Sequence, residues 1–297
     1  MAGSSQLLPE TMKSWVVVKT ILAVYEKIPT LLPFRRRPIP GLDFCGEVVA
    51  LGPSAAAVAA ANGLEVGTVV CGAIPASSIA IGVGSFVQYL AVAADILVPK
   101  PVNLSEPESA GLGIAGQTAV LVMKEAAIEP GNRVLINGAS GGVGTLLCQM
   151  VAAQGGRVTA ICSGPNAGLV KRLGAVEVID YTLNSPVYYH LETEYGDNPF
   201  DVIIDCVGNQ FLYDMCEAYL KPTGIFLNIV GGASEGYKIL ALMPSGQLQR
   251  EIVRYVNEGL VKEVVIDSEY EYADAIKAYE KLETKRAKGK IILKVAV

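Results

Sequence analysis

Hydrophobic residues along this chain follow two rhythms. Up to Val98 they fall in short β-rich runs: Trp15-Val16-Val17-Val18-Lys19, Glu47-Val48-Val49-Ala50-Leu51, Val69-Val70-Cys71 and Phe86-Val87-Gln88-Tyr89-Leu90-Ala91-Val92. Prolines and glycines separate them, as in Pro38-Ile39-Pro40-Gly41 and Leu51-Gly52-Pro53. Such runs between turn residues predict an all-β unit of partly barrel-like form. The Ala-rich stretch 54–62 fits either a helical turn or a loose loop.

From Pro101 strand and helix patterns alternate. Ser105-Glu106-Pro107-Glu108 predicts a helix start, with Ser105 as N-cap, proline in the first turn and an acid three residues after the cap. Helices are predicted at 117–128, 143–154, 166–173 and 210–220, and strands at 133–137, 157–161, 176–179, 201–206 and 224–230. Apolar strands alternating with helices build βαβ units, so this part reads as an α/β, doubly wound parallel sheet. A strand at 238–242, helices at 247–258 and 272–283 and a strand at 290–295 complete the chain.

Composition narrows the class. The 297 residues are 51% hydrophobic and 18% charged, which excludes disorder. That length suffices for one large or two ordinary domains without disulfide or metal staples. The net charge of −5 argues against nucleic acid, whose binders carry a basic face. The uncharged stretch 66–94 is broken by Pro75, Gly67, Gly72, Gly82 and Gly84, so it is read as buried β structure and no membrane partner is expected. Residues 1–10 resemble neither a signal nor a transit peptide, and the cytoplasm is the expected compartment. Cys45, Cys71, Cys148, Cys162, Cys206 and Cys216 form no C-x-x-C pair and read as reduced, mostly buried thiols. His190 is the only histidine and reads as a solvated loop residue; any site needing two histidines is impossible, and no metal is expected.

The chemistry is concentrated in Val134-Leu135-Ile136-Asn137-Gly138-Ala139-Ser140-Gly141-Gly142-Val143-Gly144. A buried strand runs through glycines straight into a helix. Gly141 and Gly142 let the backbone approach a pyrophosphate, Gly144 lets the helix pack on the strand, and N–H groups at the helix start bind the anion. The end of the next strand, Ile161-Cys162-Ser163-Gly164, carries no acid to pair with a ribose 2′-hydroxyl. Ser163, Asn166 and Lys171 are placed to meet a 2′-phosphate, which favours NADP(H).

Further blocks accompany this loop: 39–48 (Ile39-Pro40-Gly41-Leu42-Asp43-Phe44-Cys45-Gly46-Glu47-Val48), Gly84-Ser85-Phe86-Val87-Gln88-Tyr89, Ala115-Gly116-Gln117-Thr118-Ala119, Leu173-Gly174-Ala175, Ile179-Asp180-Tyr181, Asp205-Cys206-Val207-Gly208 and Gly289-Lys290-Ile291. Taken in order, residues 31–295 resemble the zinc-free medium-chain dehydrogenase/reductases of the quinone-oxidoreductase-like and enoyl-reductase-like branch. The resemblance implies a GroES-like β-rich domain from both chain ends, 1–100 with 241–297, around a Rossmann domain, 101–240. It implies hydride transfer between a nicotinamide cofactor, NADP(H), and a small molecule, a quinone or an α,β-unsaturated carbonyl. It places Ser140, Gly141, Gly142, Val143, Gly144, Ser163, Asn166 and Tyr181 at the adenosine phosphate end, and Thr118, Val207, Gly208, Val230 and Gly231 near the ribose and nicotinamide. Zinc-dependent relatives have a His-Glu pair where this chain has Leu42-Asp43, and a four-cysteine lobe that is missing here.

Three departures stand out. Pro165 takes a slot where relatives often carry an arginine for the 2′-phosphate. An Asn-Pro-x-Asp element that lines the family's cleft is replaced by Thr20-Ile21-Leu22-Ala23-Val24 running into Tyr25-Glu26-Lys27. The chain reads as shortened at its N-terminus and after Gly232, a region that shapes the cleft and supports a dimer in relatives. Candidate proton donors are Tyr25, Tyr89 or water, with Tyr25 at the missing element's place and Tyr89 read as packing in the β domain. Arg35-Arg36-Arg37 reads as a loop at the cleft rim, and the strand at 238–242 as an edge for a homodimer. The alternative expectation is a redox-silent protein that keeps the cofactor and acts as a binding partner or in a non-redox step on a small metabolite.

Overall fold

The computed structural model describes residues 15–23, 39–231 and 238–295. The chain opens with β1 (Trp15–Ala23), β2 (Asp43–Leu51), α1 (Ala56–Ala61), β3 (Val69–Ala73), α2 (Ser77–Ala80), β4 (Tyr89–Ala93) and β5 (Val98–Pro99). After α3 (Glu106–Ala110) and α4 (Gly113–Ala126) come β6 (Arg133–Asn137), α5 (Gly144–Ala153), β7 (Arg157–Cys162), α6 (Ala167–Arg172) and β8 (Ala175–Asp180). Then follow α7 (Val187–Tyr195), β9 (Phe200–Asp205), α8 (Gln210–Asp214), β10 (Leu220–Asn228) and β11 (Lys238–Ile239). The last elements are α9 (Gly246–Asn257), β12 (Ile266–Glu271), α10 (Ala275–Glu283) and β13 (Lys290–Lys294).

The alternating half forms a six-stranded sheet in the order β11-β10-β9-β6-β7-β8, with every neighbouring pair parallel. This is the doubly wound, Rossmann-like sheet expected from the alternation. The order reverses between β6 and β9, and such sheets bind ligands in the crevice at that point, off the strands' carboxyl ends. One face of the sheet, including Val134, Ile136, Val158 and Ile204, is covered by Val120 of α4, Leu147 of α5 and Ile252 of α9. Leu135, Ile161 and Ile203 of the other face meet Leu191 and Tyr195 of α7 and Leu212 of α8. Burial on both faces explains the unbroken apolar runs of these strands.

The second sheet joins the two ends of the chain in the order β12-β13-β1-β2-β3-β5, with β4 paired to β1. Its core gathers Leu42, Phe44, Val48, Val70, Leu90, Val92, Ile291 and Leu293. The helix α9 sits between the two cores: Ile252 and Val256 belong to the parallel-sheet core, and Val253 packs with Cys45, Cys71 and Val98. Ser245 caps it by accepting from the N–H of Leu248 at 3.2 Å. We propose unit boundaries at 100/101 and 240/241, with α9 as the joint.

Ser105 caps α3 as expected, its hydroxyl oxygen accepting from Glu108 N–H at 3.4 Å while Glu108 Oε2 accepts from Ser105 N–H at 2.9 Å. Several expectations are corrected. Of the two readings left open for 54–62, the structure has the helical one, over Ala56–Ala61. The helix expected at 210–220 stops at Asp214, and β10 begins at Leu220. His190 lies not in a loop but half-buried on α7, its ring centroid 6.3 Å from that of Tyr195. Buried Val187, Leu191 and Tyr195 give α7 its i, i+4, i+8 stripe, which the intervening polar residues masked. The strand β12 has acids at Asp267, Glu269 and Glu271, a pattern that suits a sheet edge and hid its strand character.

Candidate cofactor and substrate cleft

At the end of β6 the chain turns at Gly138, whose φ of +78° lies in the left-handed region that glycine tolerates. The N–H groups of Gly138 and Ala139 donate to the carbonyl oxygen of Ile161 at 3.2 and 3.1 Å, and that of Gly141 to Gly138 at 3.0 Å. These bonds pin the glycine-rich loop to the end of β7. A Cβ on Gly144 would collide with the carbonyl oxygen of Gly138, so only glycine lets α5 start this close to β6. Thr145, Leu146 and Leu147 donate their N–H groups to the carbonyl oxygens of Gly141 and Val143, so the amides of Gly142, Val143 and Gly144 ahead of them are the ones placed for an anion at the helix start.

Ser140 and Asn166 meet across this loop, with Asn166 Nδ2 donating to Ser140 Oγ at 3.0 Å. Asn166 is only 8% exposed, and its Oδ1 has no partner among the described residues. A buried, unpaired amide atom beside a glycine-rich loop fits a site completed by a polar ligand. Tyr181 is half-exposed next to the same turn, its N–H donating to the carbonyl oxygen of Cys162 at 3.2 Å. Lys171 is exposed on α6 and takes no part in the Ser140–Asn166 contact.

The end of β7 has no acid of its own, but the neighbouring strand brings one. Asp180, the Cα partner of Cys162, accepts from the hydroxyl of Thr182 at 2.7 Å and from its N–H at 2.9 Å. These bonds, with one from the N–H of Gly164, hold the Asp180 carboxyl below the usual carboxylate range. A Cβ on Gly164 would collide with that carboxylate, so Asp180 shapes the turn through Ser163.

The nicotinamide-side residues gather at the ends of β9 and β10. Asp205 is wholly buried and accepts from Asn137 Nδ2 at 2.9 Å and from the N–H groups of Val207, Gly208 and Asn209 at 2.9, 3.1 and 2.7 Å. This folds Val207 back on the glycine-rich loop, where a Cβ on Gly138 would meet Val207 Cγ2 at 2.8 Å. Gly208, at φ +83°, faces Val230. Asn228 Oδ1 accepts from the N–H groups of Val230 and Gly231 at 2.8 and 3.2 Å and sets the turn after β10.

A cavity of 240 Å³ opens beside Val230 and Gly231, walled by Leu42, Ala76, Ile114, Thr118, Ile229, Ile239, Leu240, Ala241, Leu242 and Pro244. Among the described residues Thr118 supplies the polar side chain of this lining, whose other side chains are apolar. The strand expected over 238–242 ends at Ile239, and Leu240 to Leu242 serve as cavity wall instead. Behind the wall, wholly buried Asp43 accepts from Lys290 Nζ at 3.0 Å and from the N–H of Ile114 at 2.5 Å. Burial pushes its carboxyl up, opposed by the Lys290 charge. Among the described residues no three His, Cys, Asp or Glu side chains gather to hold a metal ion.

Asp43, Lys290 and Asp205 stand in blocks quoted from the sequence but were given no site role there, and Asn228 was not singled out at all; each acts through the fold. Tyr89 is corrected: it is 52% exposed on β4, not packed in the domain. Tyr25 and Arg35-Arg36-Arg37 lie outside the described residues. No helix among the described residues is long and apolar enough to cross a membrane. The six cysteines are free thiols. Burial pushes Cys71 and Cys148 up to about 12, and Cys162 up to about 11. Thiolate is the reactive form, so native protein at neutral pH is expected to resist iodoacetamide while denatured protein takes up six labels, read by intact mass.

Residues 16–102 match the model of the alcohol dehydrogenase GroES-like domain, and residues 173–293 that of the zinc-binding dehydrogenase. The chain is 31% identical to the medium chain reductase pydE of Acremonium sp, over 95% of this chain and 88% of that one. It is also 31% identical to the trans-enoyl reductase poxH of Penicillium oxalicum, over 88% of this chain and 80% of that one. The pydE alignment runs over 325 positions, more than the 297 residues here, so that relative has segments this chain lacks. In fold it is similar to the quinone oxidoreductase of Coxiella burnetii, with a TM-score of 0.77 and 24% identity over 96% of this chain and 91% of that one. The GroES-like β unit, the parallel sheet with its glycine-rich loop and this kinship to fungal reductases agree: the chain belongs to the medium-chain dehydrogenase/reductase superfamily and is an NAD(P)H-dependent oxidoreductase.

Proposed function

We propose that this protein is a zinc-independent, NADP(H)-dependent reductase acting on a quinone or an α,β-unsaturated carbonyl compound. The observation that carries the reading is the junction at Val230 and Gly231, where the glycine-rich crevice opens into a cavity whose described side chains, apart from Thr118, are all apolar. The name of one relative, a trans-enoyl reductase, supports an unsaturated acceptor, and that of another, a medium chain reductase, supports reductase chemistry.

When bound, the nicotinamide supplies a hydride for an electron-poor carbon of the acceptor. The loop from Ser140 through Gly141, Gly142 and Val143 to Gly144 holds the phosphates. Ser163, Asn166, Lys171 and Tyr181 would meet the adenosine 2′-phosphate, while the Asp180 carboxylate is turned to Thr182 and Gly164. Val207, Gly208, Val230 and Gly231 line the ribose and nicotinamide side. Thr118 orients a carbonyl by hydrogen bonding, and the apolar walls keep water off the reacting face. Among the described residues the cavity wall carries no acid or base, and we assign protonation of the product to water at the mouth.

The test titrates NADPH and NADH by fluorescence and follows the near-ultraviolet absorbance of NADPH with a panel of enones and quinones. NADPH is expected to bind more tightly and at least one acceptor to oxidise it. Tight binding without oxidation by any acceptor would replace this reading by the redox-silent one. Tighter binding of NADH would overturn the 2′-phosphate assignment.

A further inference from the structure

The buried pair of Asp43 and Lys290 joins residues 247 positions apart in the chain. Burying two charges costs solvation that their attraction rarely exceeds, and neutral replacements of similar volume are often as stable. What distinguishes this pair is where its two ends are attached. On the Lys290 side, the N–H of Gly289 donates to the carbonyl oxygen of Ser140 at 2.9 Å, and Gly289 bridges Gly141 in parallel register. The Lys290 stem then crosses the glycine-rich loop: a Cβ on Gly142 would lie 3.0 Å from its Cδ. On the Asp43 side, the carboxylate holds the N–H of Ile114 at 2.5 Å, and the Asp43 carbonyl oxygen accepts from Ser85 Oγ at 2.8 Å. A Cβ on Gly113 would collide with the Asp43 carboxylate, so β2 and the first turn of α4 touch here. Leu42 and Ile114, next to these contacts, face the cavity, and Thr118 follows one turn along α4.

We propose that the Asp43–Lys290 pair is a positioning device that ties the glycine-rich loop to the cavity wall, so that a nucleotide seated on the loop fixes Leu42, Ile114 and Thr118 in place. The inference rests on reading that loop as the dinucleotide site. A charge pair with additional hydrogen bonds holds one geometry, whereas an apolar contact slides; this is the property a strut between loop and wall requires. Asp43 and Lys290 are positioning residues, remote from the reacting atoms.

The test is amide hydrogen exchange on the full chain with ADP-ribose carrying or lacking a 2′-phosphate, probes that have no nicotinamide to enter the cavity. In wild type the bound probe is expected to slow exchange at 138–146 and also at 112–118. In the Asp43→Asn/Lys290→Met double variant, which leaves neither charge unpaired, slowing at 138–146 remains and that at 112–118 falls about tenfold. Protection confined to the loop in wild type, or unchanged at 112–118 in the double variant, overturns the proposal. If the double variant does not fold, the wild-type pattern decides alone. Failure of both probes to bind overturns the dinucleotide reading and the strut with it, whereas binding without spread overturns the strut only.

Discussion

Gly142→Asp is expected to weaken NADPH binding at least about 100-fold while leaving the melting temperature within a few degrees of wild type. Gly142 does not have a positive φ, so an L-residue fits its backbone. The new Cβ would meet Lys290 Cδ at 3.0 Å and the carbonyl oxygen of Gly289 at 3.4 Å, contacts that a small shift of the Lys290 methylenes relieves while Nζ stays on Asp43. A carboxylate at the start of α5 is welcome to the helix dipole, by roughly 0.3–1 kcal/mol, which protects the fold. The same charge takes the place meant for the pyrophosphate. Two like charges about 4 Å apart repel by about 4 kcal/mol at an effective dielectric near 20, or more than 100-fold in affinity. Fluorescence titration and thermal melting measure the two quantities separately. An unchanged NADPH affinity would remove the glycine-rich loop from the cofactor site. Gly144 offers no such separation, because any side chain there collides with Gly138.

The glycine-rich loop was legible in the sequence because its constraints are local: turn, close approach and helix start lie within seven positions from Gly138 to Gly144. The parallel sheet was legible because burial on both faces makes each strand an apolar run. What the sequence concealed depends on which strands lie side by side. The expectation that no acid stands at the 2′ position came from the end of β7 alone, whereas pairing of β7 with β8 brings Asp180 to the same turn. Asp43 and Lys290 gave no local sign of their contact, since β2 and β13 come together only when the chain ends share a sheet. α7 and β12 were missed for a related reason: polar residues on an exposed face dilute a periodic signal that only the buried face carries. Leu240 to Leu242 were read as strand because apolar runs of that length serve edges and cavity walls alike.

Asp205→Ala is expected to cost about 3 kcal/mol of folding stability and to weaken NADPH binding by roughly tenfold or more. The carboxylate accepts from four donors, Asn137 Nδ2 and the N–H groups of Val207, Gly208 and Asn209. Each buried donor left unpaired costs about 1–3 kcal/mol. Val207 and Gly208 are exposed, so their N–H groups can turn to water, and the total falls well below four full penalties. Asn137 is 6% exposed and its amide has no such escape. The affinity loss follows from geometry: without the carboxylate nothing folds Val207 against Gly138, and both the nicotinamide-side turn and the glycine-rich loop lose a wall. Asp205→Asn separates the two effects. It keeps the oxygen that serves Asn137, Val207 and Gly208 and presents a donor only to Asn209, so about 1–2 kcal/mol is expected, with NADPH affinity close to wild type. Denaturant unfolding and NADPH titration of both variants check this. Equal losses of affinity in the two would mean that the negative charge, rather than the folded turn, governs the nicotinamide side of the cleft.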